Sequence, residues 1–202
     1  MMIRKQIGLK VLTLERKRCV MENQRVRITK MLLKNSLIKI LHEKKIEKVT
    51  VSELCEDAGI NRSTFYKHYG SQFDVYSEIE QDFFKAAIEM ITFEKEGGKT
   101  GICRFLEFLK ERKEEVYVVI VLQANEDFIQ RIFDIPALRY FANENYDARF
   151  TERQNEYMRI YEYNGGFALI REWVASGCVE EPAQIEELLL HLSDYGKQQK
   201  SR

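Results

Sequence analysis

The stretch AGINRSTFYKHYGSQ, from Ala58 to Gln72, decides how the surrounding chain is interpreted. It holds a glycine, an asparagine and then a segment rich in aromatic, basic and hydroxyl side chains, which ends at a second glycine. A helix of about eight residues is marginal alone, because forming the first helical turn is costly. We therefore expect neighbouring helices to brace this segment while its polar side chains face a partner.

Capping signals on the N-terminal side divide the stretch into two helices. Thr50 stands three residues before Glu53 in TVSE, which predicts a capping box at the start of a helix. Gly59 predicts the end of that helix, because glycine accepts the left-handed backbone of a C-terminal cap. Asn61 then predicts the cap of a second helix that begins at Arg62.

Helical geometry predicts which side chains of the second helix face inward. Phe65 and Tyr69 are four residues apart, so they share one face and anchor the helix. Ser63, Thr64 and Lys67 point the other way. With a third helix packed behind, this is the plan of a helix-turn-helix motif, whose second helix enters the major groove of DNA.

The rest of the chain predicts an all-α fold. Apolar residues recur at spacings of three and four, and the chain has only 2 prolines. A first helix is predicted from Arg27 to His42, with an apolar stripe of Ile28, Met31, Leu32, Ser36, Leu37, Ile40 and Leu41. A long helix from Ser71 to Thr92 follows the motif, with Val75, Ile79, Phe83 and Ile88 facing inward.

Six further helices are predicted beyond a polar linker, of which the apolar run YVVIVL indicates a central one. They are Ile102–Arg112, Glu114–Gln123, Glu126–Asp134, Pro136–Asn143, Thr151–Ser176 and Pro182–Tyr195.

The segment TVSELCEDAGINRSTFYKHYGSQFDVY, residues 50–76, resembles the helix-turn-helix signature of TetR-type transcriptional regulators. The resemblance is strong over about residues 25–80. It implies a helix-turn-helix head in residues 25–70 and, in residues 71–202, a connecting helix with a helical dimerisation and effector domain. Residues 1–24 are then expected to be a flexible N-terminal extension.

The resemblance also implies DNA contacts, residue by residue. The residues that it places at base edges or at the DNA backbone are Thr50, Arg62, Ser63, Thr64, Tyr66, Lys67, His68 and Gln72. Tyr66 and Thr50 would bond phosphates, since both end in a hydroxyl donor. His68 lies beside the core-facing flank. Gln72 stands where the family often has lysine, so the salt dependence of binding should be shallower by roughly one charge.

The charge distribution agrees with a polyanionic partner. The net charge is +0, yet residues 1–80 hold about 16 Lys and Arg against about 10 Asp and Glu. Arg25, Arg27 and Lys30 open the first helix and would follow the DNA backbone. A solvated basic helix start explains these three residues equally well.

The last two predicted helices carry the expected dimer surface. Its residues are Gly165, Gly166, Phe167, Ile185, Leu188, Leu189 and Leu192. Packing within a single chain would produce the same pattern. The family resemblance favours the dimer, because two-fold proteins bind palindromic sites with matched heads.

Aromatic residues of the second half are either core or the lining of an effector pocket. The candidates for a pocket are Phe105, Phe108, Tyr117, Tyr140 and Tyr161. Aromatic residues at helical spacings are more often core, so the effector stays open.

Several function classes find no support in the sequence. No apolar run reaches the length of a membrane helix, and charged residues break the first twenty positions, which favours the cytoplasm. Cys19, Cys55, Cys103 and Cys178 form no CxxC pair and are expected to be reduced packing residues. No metal site, cofactor or catalytic residue is predicted. Met21 would be a natural start, so residues 1–20 are expected to be an upstream extension or a misassigned start.

The sequence therefore predicts a TetR-like repressor that binds a palindromic operator as a homodimer until an effector releases it. The alternative is a TetR-like co-activator whose C-terminal domain docks a protein partner. An enclosed cavity of about 300 Å³ or more would favour the small effector, and a filled aromatic core the protein partner.

Overall fold

A computed structural model of the chain describes residues 24–92, 100–124, 126–133 and 149–198, and every regular element in these ranges is helical. The helices are α1 (24–41), α2 (Val51–Ala58), α3 (Arg62–Phe65), α4 (Gln72–Thr92), α5 (Gly101–Glu111), α6 (Lys113–Val116), α7 (Glu126–Phe133), α8 (Glu152–Ala175) and α9 (Pro182–Gln198). The all-α prediction is confirmed. The predictions for residues 1–23, which include Cys19, and for the helix at 136–143 lie outside the described residues.

The chain divides after Glu78, within α4, into two compact units. The core of the first unit contains Leu33, Leu37, Leu41, Leu54, Phe65 and Val75, each almost fully shielded from solvent. These side chains come from α1, α2, α3 and the start of α4, so each short helix is held by apolar burial instead of by its own length.

The predicted stripe of α1 is wrong in its first turns. Ile28, Met31 and Leu32 are exposed, whereas Leu33 is fully buried. Residues four apart share a helix face, so Leu33 lies in line with Leu37, while Ile28 and Leu32 fall on the opposite side. Because Leu32 and Leu33 are both apolar, the sequence is compatible with either residue facing inward. The helix faces Leu33 inward, in line with the rest of the buried core.

The turn between α2 and α3 forms as predicted. Gly59 takes the left-handed conformation, with φ of 63° and ψ of 30°. Its N–H donates to the carbonyl of Glu56 at 3.2 Å, and the N–H of Ile60 donates to the carbonyl of Cys55 at 2.9 Å. This pair of bonds is a Schellman motif, which satisfies the last carbonyls of α2.

The regular part of α3 is shorter than predicted, with 4 residues. Beyond Phe65 the backbone tightens to a 3₁₀-like turn, in which each N–H donates to the carbonyl three residues earlier. The N–H of Lys67 donates to the carbonyl of Thr64, and the N–H of His68 donates to that of Phe65. The N–H of Tyr69 still reaches the carbonyl of Phe65 at 3.0 Å. The predicted eight-residue helix is therefore a short helix and a turn, and we call residues 62–69 the recognition segment.

The second unit is built around packed aromatic rings. Phe83 contacts Phe108 and Phe128, with ring centroids 5.8 Å and 6.0 Å away. Along α4, Ala87 continues the buried face at a spacing of four, so the prediction that Ile88 faces inward is wrong and this residue is exposed.

The apolar run YVVIVL is central, as predicted, because Val118, Val119 and Ile120 are buried and α8 packs against the run. Its π-helical form, Tyr117–Leu122, was not predicted. Successive β-branched side chains crowd an α-helical turn, and the wider turn accommodates them.

Cys55, Cys103 and Cys178 are buried free thiols, as predicted for packing residues. Burial raises the pKa of the Cys55 and Cys178 thiols. Both groups therefore stay protonated and unreactive near neutral pH.

Candidate nucleic-acid interface

The start of α2 is held by Thr50, whose hydroxyl oxygen accepts from the N–H of Glu53 at 3.2 Å. The second half of the predicted capping box is wrong. The carboxylate of Glu53 instead bonds the ammonium group of Lys44. Thr50 is exposed, and its hydroxyl group has the chemistry to donate a hydrogen bond to a phosphate at this helix start.

Asn61 starts the recognition segment as predicted. Its side-chain oxygen accepts from the N–H of Ser63 at 2.9 Å and from the hydroxyl of Ser63 at 3.0 Å. This cap satisfies one of the donors that a helix start leaves without a partner.

Arg62 is fixed by a residue that the sequence did not single out. Its guanidinium group donates to the hydroxyl of Ser52 on α2. A guanidinium group has five N–H donors, so one such bond orients the group and leaves further donors for a base edge. The partners are ten residues apart and belong to different helices, so no local sequence pattern could have indicated the pair.

The remaining residues of the recognition segment fall into two groups by exposure. Ser63, Tyr66 and Lys67 are exposed, and Tyr66 shows 60% of its surface to solvent. Thr64 and His68 are half-buried on the flank of the segment. Phe65 and Tyr69 are buried beneath it, which confirms their predicted anchoring role.

The phenol of Tyr66 is held from below. The ring of Phe65 meets its ring edge to face, with centroids 5.4 Å apart and an interplanar angle of 89°. Because Phe65 is fully buried, it provides a fixed support for an exposed side chain.

The start of α4 is capped by an acidic side chain that the sequence did not single out. Asp74 accepts from the N–H of Gly70 at 2.7 Å and from the N–H of Ser71 at 3.0 Å. Gln72, the next predicted DNA contact, is half-buried beside these amides. The carboxylate already complements the positive end of the helix, so a DNA contact by Gln72 would have to be made by its own amide group.

The basic start of α1 divides into exposed and paired residues. Arg25 and Arg27 are exposed. Lys30 and Lys34 instead donate to the carboxylate of Glu78 at 2.7 Å and 3.1 Å. The charge of Lys30 is thus paired within the first unit, which weighs against its predicted role at the DNA backbone.

Glu78 is ionised over the whole physiological range. Partial burial opposes its charge, yet hydrogen bonds from Lys30, Lys34 and Tyr69 outweigh burial and hold the pKa of the carboxyl below its ordinary value. Nothing in the local sequence marks Glu78, since its partners lie up to 48 residues away.

The residues of the predicted dimer surface lie on α8 and α9. Phe167 and Ile185 are buried, whereas Leu188 and Leu192 expose 44% and 56% of their surface in the single chain. Gly165 is exposed, and a Cβ atom added to Gly166 would lie 3.7 Å from Leu189, so α8 and α9 pack closely there. The dimer stays a prediction.

The residues of the predicted pocket are not brought together as a group. Phe105 and Phe108 are buried, with ring centroids 6.4 Å apart, and Tyr117 is half-buried. Tyr161 exposes 80% of its surface. Tyr140 lies outside the described residues.

No family model and no curated protein sequence matches the chain. Solved structures do. A TetR transcriptional regulator from Streptococcus agalactiae 2603V has a TM-score of 0.65 at 17% identity, covering 87% of this chain and 98% of that one. The fatty acid degradation regulator FadR from Bacillus halodurans has a TM-score of 0.55 at 14% identity, covering 82% and 94%. The dihydroxyacetone kinase operon activator DhaS has a TM-score of 0.50 at 18% identity, covering 83% and 97%.

The chain therefore has the fold of TetR-type transcriptional regulators. Among the described residues, no helix has both the length and the apolar character that crossing a membrane requires.

Proposed function

We propose that this chain is a DNA-binding transcriptional regulator that binds a palindromic operator as a homodimer and represses transcription there. Its solved structural neighbours are named as regulators of transcription, which supports a binding role over catalysis. Repression is what the resemblance to TetR-type regulators implies.

The observation that carries the proposal is the outer face of the recognition segment. Arg62, Ser63, Tyr66 and Lys67 are all exposed there, above a buried base formed by Phe65. Guanidinium and ammonium groups donate to guanine edges and phosphates, and hydroxyl groups donate to phosphates. The rigid support from Phe65 matters because direct readout of base edges depends on the orientation of each contacting side chain.

Exposed leucines on α9 support the homodimer. Leu188 and Leu192 are one turn apart and lie in line with the buried Ile185. Covering both leucines with a second copy would remove apolar surface from water and present two heads to a two-fold site.

Release from DNA is proposed to follow the binding of an effector to a part of the second unit other than the packed rings of Phe83, Phe108 and Phe128. Such a ligand must bind the DNA-incompetent state more tightly than the competent one, because equal affinity for the two states would shift neither. The sequence and the fold leave the chemistry of this effector open.

Selection of bound fragments from a pool of genomic DNA tests the proposal. The wild-type protein should enrich fragments that share an inverted repeat, with half-site centres a whole number of helical turns apart. On the enriched duplex, Tyr66→Phe should weaken binding about fivefold, the effect of one lost hydrogen bond.

A matched control is Tyr157→Phe, because Tyr157 is a tyrosine on α8 with 55% of its surface exposed. This change should leave the affinity for DNA unaltered. Enrichment of no shared motif, or equal effects of the two substitutions, would refute the proposal.

A further inference from the structure

Glu78 joins three parts of the first unit at one carboxylate. It lies on α4 and accepts from Lys30 at 2.7 Å and Lys34 at 3.1 Å, both on α1. It also accepts from the phenol of Tyr69 at 3.0 Å, at the end of the recognition segment. Its side chain is only 26% exposed, so these bonds are partly protected from water.

Tyr69 connects this carboxylate to the exposed phenol of the recognition segment. The ring of Tyr69 contacts Phe65 with centroids 5.8 Å apart, and Phe65 supports Tyr66 at 5.4 Å. The ammonium group of Lys30 also lies 5.2 Å from the centre of the Tyr69 ring. One hydrogen bond and two ring contacts thus connect Glu78 to Tyr66, the side chain proposed to bond phosphate.

We propose that Glu78 is a positioning residue for DNA recognition, which holds Tyr69 and thereby sets the aim of Tyr66. The inference rests on the proposed function, because the aim of Tyr66 matters only if Tyr66 contacts DNA. Interiors are close-packed, so loss of the bond that orients Tyr69 is passed on through Phe65 instead of being absorbed by empty space.

The same carboxylate also pairs with Lys30 of α1 and so keeps this cation from acting as a non-specific DNA contact. Lys30 and Lys34 are paired with Glu78, and a carboxylate lies between them where a phosphate would otherwise be attracted. Removing the charge of Glu78 would therefore weaken specific binding while strengthening non-specific binding through Lys30.

Two substitutions separate the effect on the orientation of Tyr66 from the effect of the charge of Glu78. Glu78→Gln removes the negative charge to which Lys30 and Lys34 donate. Tyr69→Phe removes only the hydroxyl group and changes no charge at all. A loss of specificity common to both variants is therefore due to the Glu78–Tyr69 bond and not to the altered charge.

Asp57→Asn is the matched control. Asp57 also bonds a lysine of α1, Lys39, within the first unit. Lys39 is 71% exposed, and the hydrogen-bond partners of Asp57 are Lys39 and Ser36, both on α1. This substitution removes a carboxylate–lysine pair of the same kind without touching the path to Tyr66.

The test measures, with full-length protein, the affinity for the enriched duplex and for a scrambled duplex, at a temperature where thermal unfolding shows every variant folded. We expect the ratio of the two affinities to fall about tenfold in Tyr69→Phe, as for one charge-assisted hydrogen bond. It should fall further in Glu78→Gln, because the affinity of this variant for the scrambled duplex also rises. The ratio should stay unchanged in Asp57→Asn.

A double-mutant cycle with Tyr66→Phe gives a result that a merely structural role would not produce. Tyr66→Phe should cost less affinity in the Tyr69→Phe protein than in the wild type, because the phenol of Tyr66 is no longer directed at its phosphate once the Tyr69–Glu78 bond is gone. In the Asp57→Asn protein it should cost as much as in the wild type.

Wild-type specificity in both Glu78→Gln and Tyr69→Phe, or equal costs of Tyr66→Phe in every background, would overturn the inference and leave the proposed function intact. A wild-type protein that prefers no duplex would overturn both. This last outcome is recognisable because it appears before any variant is tested.

Discussion

At the scale of single residues, Gly59 determines whether α2 and the recognition segment can meet at their tight turn. Its φ of 63° lies in the left-handed region, and apart from the two neighbouring residues of the chain no atom lies within 4 Å of a Cβ added there. The cost of a side chain at this position is therefore a backbone cost and not a steric clash.

We predict that Gly59→Ala lowers the free energy of unfolding by about 1–2 kcal/mol, the cost of a left-handed conformation for an L-residue. Gly59→Asn should cost less, because asparagine visits this conformation more readily. Urea unfolding monitored by circular dichroism measures both. Equal stability of the alanine variant and the wild type would contradict the role of the turn.

The carboxyl of Glu78 gives a pH dependence with a definite sign. Its folded pKa is below its ordinary value of 4.5, so the folded state favours the charged form. The stabilisation is complete above the unfolded pKa and is lost as the pH falls through the folded pKa.

Accordingly, the difference in unfolding free energy between wild type and Glu78→Gln should be constant from pH 7 to about pH 5. It should shrink as the pH falls below 4.5. Urea unfolding of both proteins across this range measures the difference. A difference that stays constant throughout the acidic range would contradict the ionised hydrogen-bonded state.

At the scale of helices, the recognition segment shows what sequence can and cannot predict. The caps by Thr50, Gly59 and Asn61 were predicted, because each depends on residues within four positions. The length of α3 was not predicted correctly, because the tight turn beyond Phe65 depends on how the recognition segment joins α4.

The contacts that the sequence missed are those between helices. The pairs in question, Ser52 with Arg62 and Glu78 with Lys30, join polar residues of ordinary type. No periodicity or motif marks such pairs, because their partners are brought together only by the packed core. The buried face of α1 was predicted wrongly for the same reason, because either of the adjacent residues Leu32 and Leu33 could have faced the core.

We predict that Asn61→Ala lowers stability by about 1 kcal/mol, because the amides at the start of α3 lose an acceptor. Asn61→Asp should retain most of the stability, since its carboxylate accepts the same N–H. The midpoint of urea unfolding distinguishes the two. Equal losses in both variants would show that the cap is not what holds α3.

At the scale of the whole molecule, the exposed stripe of α9 predicts a second copy of the chain. Leu188→Asp combined with Leu192→Asp should convert the protein to a monomer, because each introduces a charge into an apolar contact. Leu190→Asp is the control, since Leu190 is 41% exposed but lies on another face of α9.

Sedimentation equilibrium measures the outcome. The double variant should have the mass of one chain, and the control variant that of two. A wild-type monomer, or a dimer that both changes disrupt equally, would contradict the assignment of this stripe to the interface.

The central claim is that the outer face of the recognition segment binds duplex DNA. The most direct test is the salt dependence of binding to the enriched duplex for wild type, Lys67→Ala and Lys85→Ala. Both lysines are exposed, but Lys85 belongs to the second unit. Lys67→Ala should weaken binding and make the slope of log K against log salt shallower by about 0.9, the effect of one lost phosphate contact. Lys85→Ala should change neither quantity. A slope that is the same in all three proteins would contradict the claim.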